Sequence, residues 1–283
     1  MAGSFKSRAR HFIYLPYLIF LLIFLVWPGL YVFRAAFQKN SAERHPMVEA
    51  VTGQYRTSFI YSLELSVVSA AIGLFIGSLV AIAIVRLENV RALRSFVVGY
   101  SSVAANMGGI PLAFAFLAAF GMQGLATRLL REINIDLIGW GFRITDFWGI
   151  VLVYLYFQIP LMTLILVPAI DGLRRTWHEA AQSLGATASQ YWRYVALPIL
   201  TPALLGGFLL LIANAFAAYA TAFALSSGGS RLVPVQIRFF LQGETITGKT
   251  NLGYAMAAWM VLLTLVLVIG FQTLVRRSER WRR

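Results

Sequence analysis

Residues 171–198, DGLRRTWHEAAQSLGATASQYWRYVALP, lie between two long apolar stretches and decide how the rest of the chain is interpreted. Good helix formers occupy Trp177–Leu184, and Gly185 then offers the left-handed conformation that often ends a helix. A second helical stretch follows and leads into Pro198. The segment therefore predicts two short helices that meet at a glycine corner beside an apolar helix.

Charge-free stretches on both sides of this segment are long enough to span a membrane. A helix needs about 20 apolar residues to cross the hydrocarbon core, and the chain offers six such stretches. They predict an all-α integral membrane protein with a single transmembrane domain over residues 1–283. The predicted spans cover about residues 12–36, 60–85, 95–120, 147–170, 198–224 and 252–275, with a loop at 171–197.

Composition supports a membrane protein. Hydrophobic residues make up 59% of the chain and charged residues 12%, whereas soluble domains carry about 25% charged residues. This charge is too low to cover a soluble globule or to keep a chain disordered, so both classes are excluded. Cysteine is absent, and the three histidines lie far apart in sequence, so no metal site is expected.

The net charge of +13 follows the predicted topology. If the N-terminus is cytoplasmic, 14 of the 24 Lys and Arg residues lie in inside segments and nine in outside segments. Cytoplasmic loops are typically enriched in positive charge, which predicts that both termini are cytoplasmic. The basic excess is thereby explained without a nucleic-acid partner.

The first apolar stretch could instead be a signal peptide. Its uncharged run, Phe12–Phe33, exceeds the usual apolar region of about 7–15 residues, and the sequence after it is a poor cleavage site. We therefore expect a retained span.

The 171–198 sequence resembles the EAA loop of ATP-binding-cassette (ABC) importer permeases, whose pattern is E-A-A-x3-G-x9-I-x-L-P. Val195 in place of Ile is the only departure. An amphipathic helix that anchors the loop at the membrane surface is the alternative interpretation. The matching positions are Glu179, Ala180, Ala181, Gly185, Leu197 and Pro198.

Further stretches resemble the spermidine/putrescine-type permeases. They lie in the first, third, fourth and fifth predicted spans, at Leu15–Tyr31, Asn106–Phe116, Tyr154–Met162 and Asn214–Thr221. This similarity implies a type I permease with a polyamine as its solute. Thiamine, ferric iron, a phosphonate, an opine or a sugar remain alternatives, because related permeases share these helices.

The resemblance also implies partners and residue roles. Two separate ATPase subunits would bind ATP and magnesium, so this chain needs no cofactor and performs no covalent chemistry. A second permease subunit, related or identical, and an extracytoplasmic solute-binding protein would complete the transporter in the lipid bilayer, and the implied location is the bacterial cytoplasmic membrane. Glu179 would be the charged anchor at the ATPase, and Ala180 and Ala181 the close-approach surface. Gly185 would form the corner, and Leu197-Pro198 the start of the connected helix.

One sequence matches a phosphate-binding loop by coincidence. Gly243–Thr250 fits the pattern G-x-x-x-x-G-K-[ST]. Such a loop needs an α/β core, whereas the rest of the chain predicts membrane helices. We therefore assign no ATP site to it.

Polar residues inside the predicted spans are candidates for the solute pathway, because they are costly in a membrane. Hydrogen bonds between helices are an equally good explanation, and Glu64 is close enough to the outer end of its span to be hydrated. The candidates are Glu64, Gln158, Asn214, Tyr219 and Thr221.

Two other classes of protein are less consistent with the sequence. An ion-coupled secondary transporter usually has charged or discontinuous mid-membrane segments and internal repeats, and neither is expected here. An intramembrane enzyme would need clustered catalytic residues, which the sequence lacks.

Overall fold

The computed structural model describes residues 15–38, 45–86, 90–226, 231–242 and 249–280, and its regular structure in these ranges is helical. The helices and their bounds, in chain order, are α1 (Leu15–Phe37), α2 (Pro46–Glu49), α3 (Gly53–Arg86), α4 (Arg91–Ala104), α5 (Ile110–Phe120), α6 (Leu125–Glu132), α7 (Phe147–Asp171), α8 (Arg175–Ser183), α9 (Ala188–Ala217), α10 (Tyr219–Ser226), α11 (Val233–Leu241) and α12 (Thr250–Arg280).

Six apolar segments are long enough to cross a membrane, which confirms the predicted fold class and number of spans. They are Leu15–Phe37, Gly53–Arg86, Ile110–Glu132, Phe147–Asp171, Ala188–Ala217 and Thr250–Leu274. The described residues divide into two compact units. One is drawn from Met1–Arg56 and Gln236–Val261, and the other from Thr57–Val235 and Leu262–Arg283.

Two of the predicted spans are not continuous helices, which corrects the expectation that discontinuous segments are absent. The predicted span 95–120 is interrupted between α4 and α5, where Gly109 adopts a φ of 89° that a side chain would resist. The predicted span 198–224 is interrupted at Ala218, whose ψ of 85° is far from a helical value. An apolar composition predicts that a segment lies inside the membrane, but it does not predict where the helix is interrupted.

Helix α7 lies at the centre of the larger unit, because 61% of its most apolar stretch of 18 residues is buried. Gly73 and Gly77 of α3 allow close approach to α7, since a Cβ on Gly77 would lie 2.7 Å from the Met162 Cβ. Gly207 of α9 lies against the same side chain, because a Cβ there would meet the Met162 Sδ at 2.7 Å. Met162 is thus enclosed by glycines from two helices.

Side-chain contacts within the smaller unit hold the short helix α2 against α12. The Trp259 indole donates a hydrogen bond to the Met47 carbonyl oxygen over 3.0 Å, and the Lys249 ammonium donates to the Glu49 carboxylate over 2.7 Å. The latter bond raises the pKa of Lys249. Lys249 therefore has an ion-pair partner, whereas residues 243–248 of the coincidental phosphate-loop pattern lie outside the described residues.

We expect Gly77→Ala to destabilise the protein by about 1–3 kcal/mol, because the new methyl group would overlap the backbone and side chains of α7. Gly99→Ala is the matched control, since Gly99 lies in a helix with nothing within 4 Å of its Cβ position. The apparent melting temperature in detergent measures both. Equal melting temperatures for the two variants would contradict the close approach of α3 and α7.

Candidate functional site

Residues 171–197, which include the last residue of α7, all of α8 and the start of α9, are called the corner segment below. Its helix α8 ends in two hydrogen bonds, from the Gly185 N–H to the Gln182 oxygen and from the Ala186 N–H to the Ala181 oxygen, both 2.9 Å. Gly185 has a φ of 80°, and this combination is a Schellman motif. The motif explains why a glycine follows the Glu-Ala-Ala sequence at this spacing, and it confirms the predicted helix–corner–helix arrangement.

Helix α9 begins directly after the corner. Thr187 accepts a hydrogen bond from the Gln190 N–H, and the Gln190 side chain accepts one from the Thr187 N–H, which forms a capping box. The helix then continues through a π turn at Trp192–Ala196. The regular α-helical part then starts at Leu197, as expected, with Pro198, which lacks an N–H, in its first turn, while the continuous segment starts earlier, at Ala188.

Helix α8 presents one exposed face and one packed face. Glu179 and Ala180 are exposed, Ala181 is half-buried, and Leu184 just beyond the helix is 88% exposed. His178 turns the other way and packs edge-on against Tyr191, with ring centroids 4.7 Å apart. The exposed face therefore combines small side chains, one unpacked leucine and the Glu179 carboxylate, which lies 4.0 Å from the exposed Arg175 guanidinium.

The two helix breaks line one cleft of about 460 Å³ in the larger unit. Among the described residues, its lining carries no charged side chain. The lining combines amide, hydroxyl and aromatic groups with small residues. The lining consists of Ala105, Asn106, Gly108, Gly109, Phe157, Asn214, Ala217, Ala218, Tyr219, Ala220 and Thr221.

Side chains compensate the backbone groups that the breaks release. The Gly109 N–H donates a hydrogen bond to the Thr221 Oγ1 over 2.7 Å, which joins one break to the other. The Tyr154 hydroxyl donates to the Ala218 carbonyl oxygen over 2.8 Å. Unpaired backbone groups are costly in a membrane, so these two bonds allow both breaks to persist.

The structure brings together three of the five predicted pathway residues. Asn214, Tyr219 and Thr221 line the cleft. Gln158 is fully buried and donates a hydrogen bond to the Ser69 Oγ over 2.8 Å, and Glu64 is exposed on α3; neither belongs to the lining. Gln158 therefore fits the alternative explanation, a hydrogen bond between helices.

Several cleft residues were missed because they are small or apolar. The signal that could have found them is the Gly108-Gly109 pair two residues before Pro111, inside a long apolar stretch. Such an interruption is typical of a broken membrane helix. Within the described residues, no group of three or more metal-ligating side chains is placed to hold a metal ion.

Comparisons with known proteins agree on one family. Residues 73–283 match the family described as binding-protein-dependent transport system inner membrane component. The chain is 25% identical over 220 residues to a spermidine/putrescine transport system permease protein of Haemophilus influenzae, covering 78% of this chain and 76% of the relative. It is 26% identical over 161 residues to a trehalose/maltose transport system permease protein of Thermococcus litoralis, covering 56% of this chain and 53% of that relative.

Solved structures share the fold. One chain of a bacterial ABC transporter that imports the acidic polysaccharide alginate superposes with a TM-score of 0.69 and 19% identity, covering 97% of this chain and 96% of that one. The same kind of transporter, in complex with an alginate pentasaccharide-bound periplasmic protein, gives a TM-score of 0.67 and 18% identity, covering 98% and 96%.

Thr221→Val should lower the stability of the protein by about 1–3 kcal/mol, because the Gly109 N–H would lose its acceptor. Thr221→Ser keeps the oxygen and should remain close to the parent protein. Thermal unfolding in detergent compares the two variants. If the valine variant unfolds at the temperature of the serine variant, the bond between the two breaks does not stabilise the fold.

Proposed function

Because this chain belongs to the family of binding-protein-dependent transport system inner membrane components, we propose that a small solute crosses the membrane through its cleft. The chain is a permease subunit of an ABC importer and a multi-pass inner membrane protein. Its cleft supplies polar contacts without fixed charge, and the corner segment offers an exposed face outside the apolar spans.

The observation that carries this proposal is the continuity of α9. One helix of 30 residues, about 45 Å long at 1.5 Å per residue, begins at the corner segment and ends at the cleft-lining Ala217. A continuous helix transmits displacement as a rigid element. A movement imposed at Ala188 therefore reaches the cleft directly, which is what coupling between an ATPase and a solute pathway requires.

The exposed face of α8 would dock onto a separate ATPase on the cytoplasmic side. In this proposal Glu179 is the charged anchor, and Ala180 and Ala181 let the ATPase surface approach the helix closely. Two ATPase subunits would hold ATP and magnesium, a second permease would complete the pathway, and an extracytoplasmic binding protein would deliver the solute. Both termini would then be cytoplasmic, as the distribution of basic residues predicts.

We propose a polyamine as the solute. Similarity to the spermidine/putrescine permease extends over 78% of this chain, further than the similarity to the trehalose/maltose permease. Tyr219 and Phe157 in the cleft offer aromatic faces, which attract ammonium groups, and Asn214 offers an amide oxygen. With no carboxylate in the described lining, selection among solutes would rest mainly with the binding protein.

Gly185→Asp should abolish most solute uptake while membrane insertion remains normal. Nothing lies within 4 Å of the Gly185 Cβ position, so the damage would come from the left-handed backbone and the added charge at the docking face. Gly141→Asp is the matched control, because Gly141 has a φ of 82° and equally open surroundings outside the corner segment. Uptake by cells and co-purification of the ATPase are the measurements.

If both aspartate variants transport and bind the ATPase equally well, the corner segment is not the docking site. Gly185→Asn separates the two causes of damage. Asparagine and aspartate tolerate the left-handed conformation to a similar degree, but asparagine adds no charge, so it should retain more uptake if the charge causes the damage.

The solute assignment predicts ATP-dependent uptake of labelled spermidine by vesicles that contain the complete transporter. Unlabelled putrescine should compete, whereas thiamine, sulfate and trehalose should not. Competition by one of these latter solutes alone would reassign the cargo and leave the permease role intact. Uptake that resists vanadate but stops with an ionophore would instead indicate an ion-coupled transporter.

A further inference from the structure

An ion pair connects the start of α4 to the end of α7. The Arg94 guanidinium donates from its Nη2 to the Oδ2 of Asp171, the last residue of α7 and the first of the corner segment. Their side chains are 32% and 37% exposed, so the pair lies at the edge of the packed unit. Pairs this exposed add little to stability, and a role in position rather than in stability fits better.

Helix α4 leads from this ion pair to the cleft. It ends at Ala104, and the next residues, which include Ala105 and Gly109, line the cleft. The helix before the other break, α9, is also connected to the corner segment, because it begins there at Ala188 and ends at Ala217. The two helices that stop at the cleft therefore both start at the corner segment, one through the covalent chain and one through Arg94–Asp171.

Other contacts along α4 lie farther from the corner segment, and one of them, between the Tyr100 and Tyr156 side chains, is also a hydrogen bond to α7. Val97 and Val98 pack against the apolar cluster that includes Met162 and Ile170 of α7. Apolar contacts of this type are not directional, so they fix the position of a helix along its axis less strictly than a hydrogen bond does. A charge-assisted hydrogen bond at the end of the helix fixes its position along the axis.

We propose that Arg94 and Asp171 are positioning residues that make α4 follow the corner segment, so that both walls of the cleft move together during transport. This inference rests on the proposed function and adds a second mechanical route to α9. The pair acts on the geometry of the cleft and not on the solute. Losing it uncouples ATP hydrolysis from transport without removing the docking face of α8.

The test compares Arg94→Glu, Asp171→Arg and the double exchange in the complete transporter, reconstituted with its ATPase and binding protein in proteoliposomes. Solute transported per ATP hydrolysed is the readout. Each single variant should lower this ratio about fivefold or more, and the double exchange should restore most of it. ATPase co-purification should stay unchanged, because Glu179, Ala180 and Ala181 are untouched.

The matched control is the exposed ion pair between Arg131 and Asp136, which are 3.3 Å apart and outside the corner segment. Arg131→Glu should leave the transport ratio unchanged. If a charge-reversed single variant is not produced as folded protein, Asp171→Asn removes the pair without introducing repulsion and should show the same loss.

Single variants with the parental ratio would overturn the inference while leaving the permease role intact. A double exchange that is no better than the single variants would also overturn it, because the residues would then act separately. Failure of the unmodified complex to transport any solute on ATP hydrolysis would instead contradict the proposed function itself.

Discussion

Every backbone N–H and C=O group inside a membrane needs a partner within the protein, and this requirement determines where the chain can depart from a helix. Two such departures, between α4 and α5 and at Ala218, line the same cleft. The Thr221 hydroxyl accepts from one break, and the Tyr154 hydroxyl donates to the other. The polar groups in this region thus stabilise the breaks as well as lining the cleft.

Glycine residues let the helices around the cleft pack closely against one another. Gly77 of α3 and Gly207 of α9 both pack against Met162 of α7, and the flexible thioether fills the space between the helices. The same residue type has a different purpose at Gly185, where the left-handed conformation ends α8 and lets α9 begin with its own cap. One glycine property, the missing side chain, therefore supports packing in the spans and a change of direction in the corner segment.

Sequence reasoning predicted the features that depend on composition and fixed spacing. The six apolar segments and the glycine corner are visible in the sequence because each follows a local rule. The break at Ala218 was not predictable in this way, because alanine is a good helix former and the bond from Tyr154 lies 64 residues away in sequence. Gln158 was ambiguous for the same reason, since its partner Ser69 is on another helix.

The absence of fixed charge from the described cleft lining has a kinetic consequence. A solute that follows the proposed pathway would contact methyl groups, amides and hydroxyls and would have no ion pair to break before it leaves, so its residence time would be short. A fixed carboxylate at the same place would hold a cationic solute longer and slow each turnover. The lining therefore suits rapid passage better than storage, and it leaves tight capture to a protein that the solute meets earlier.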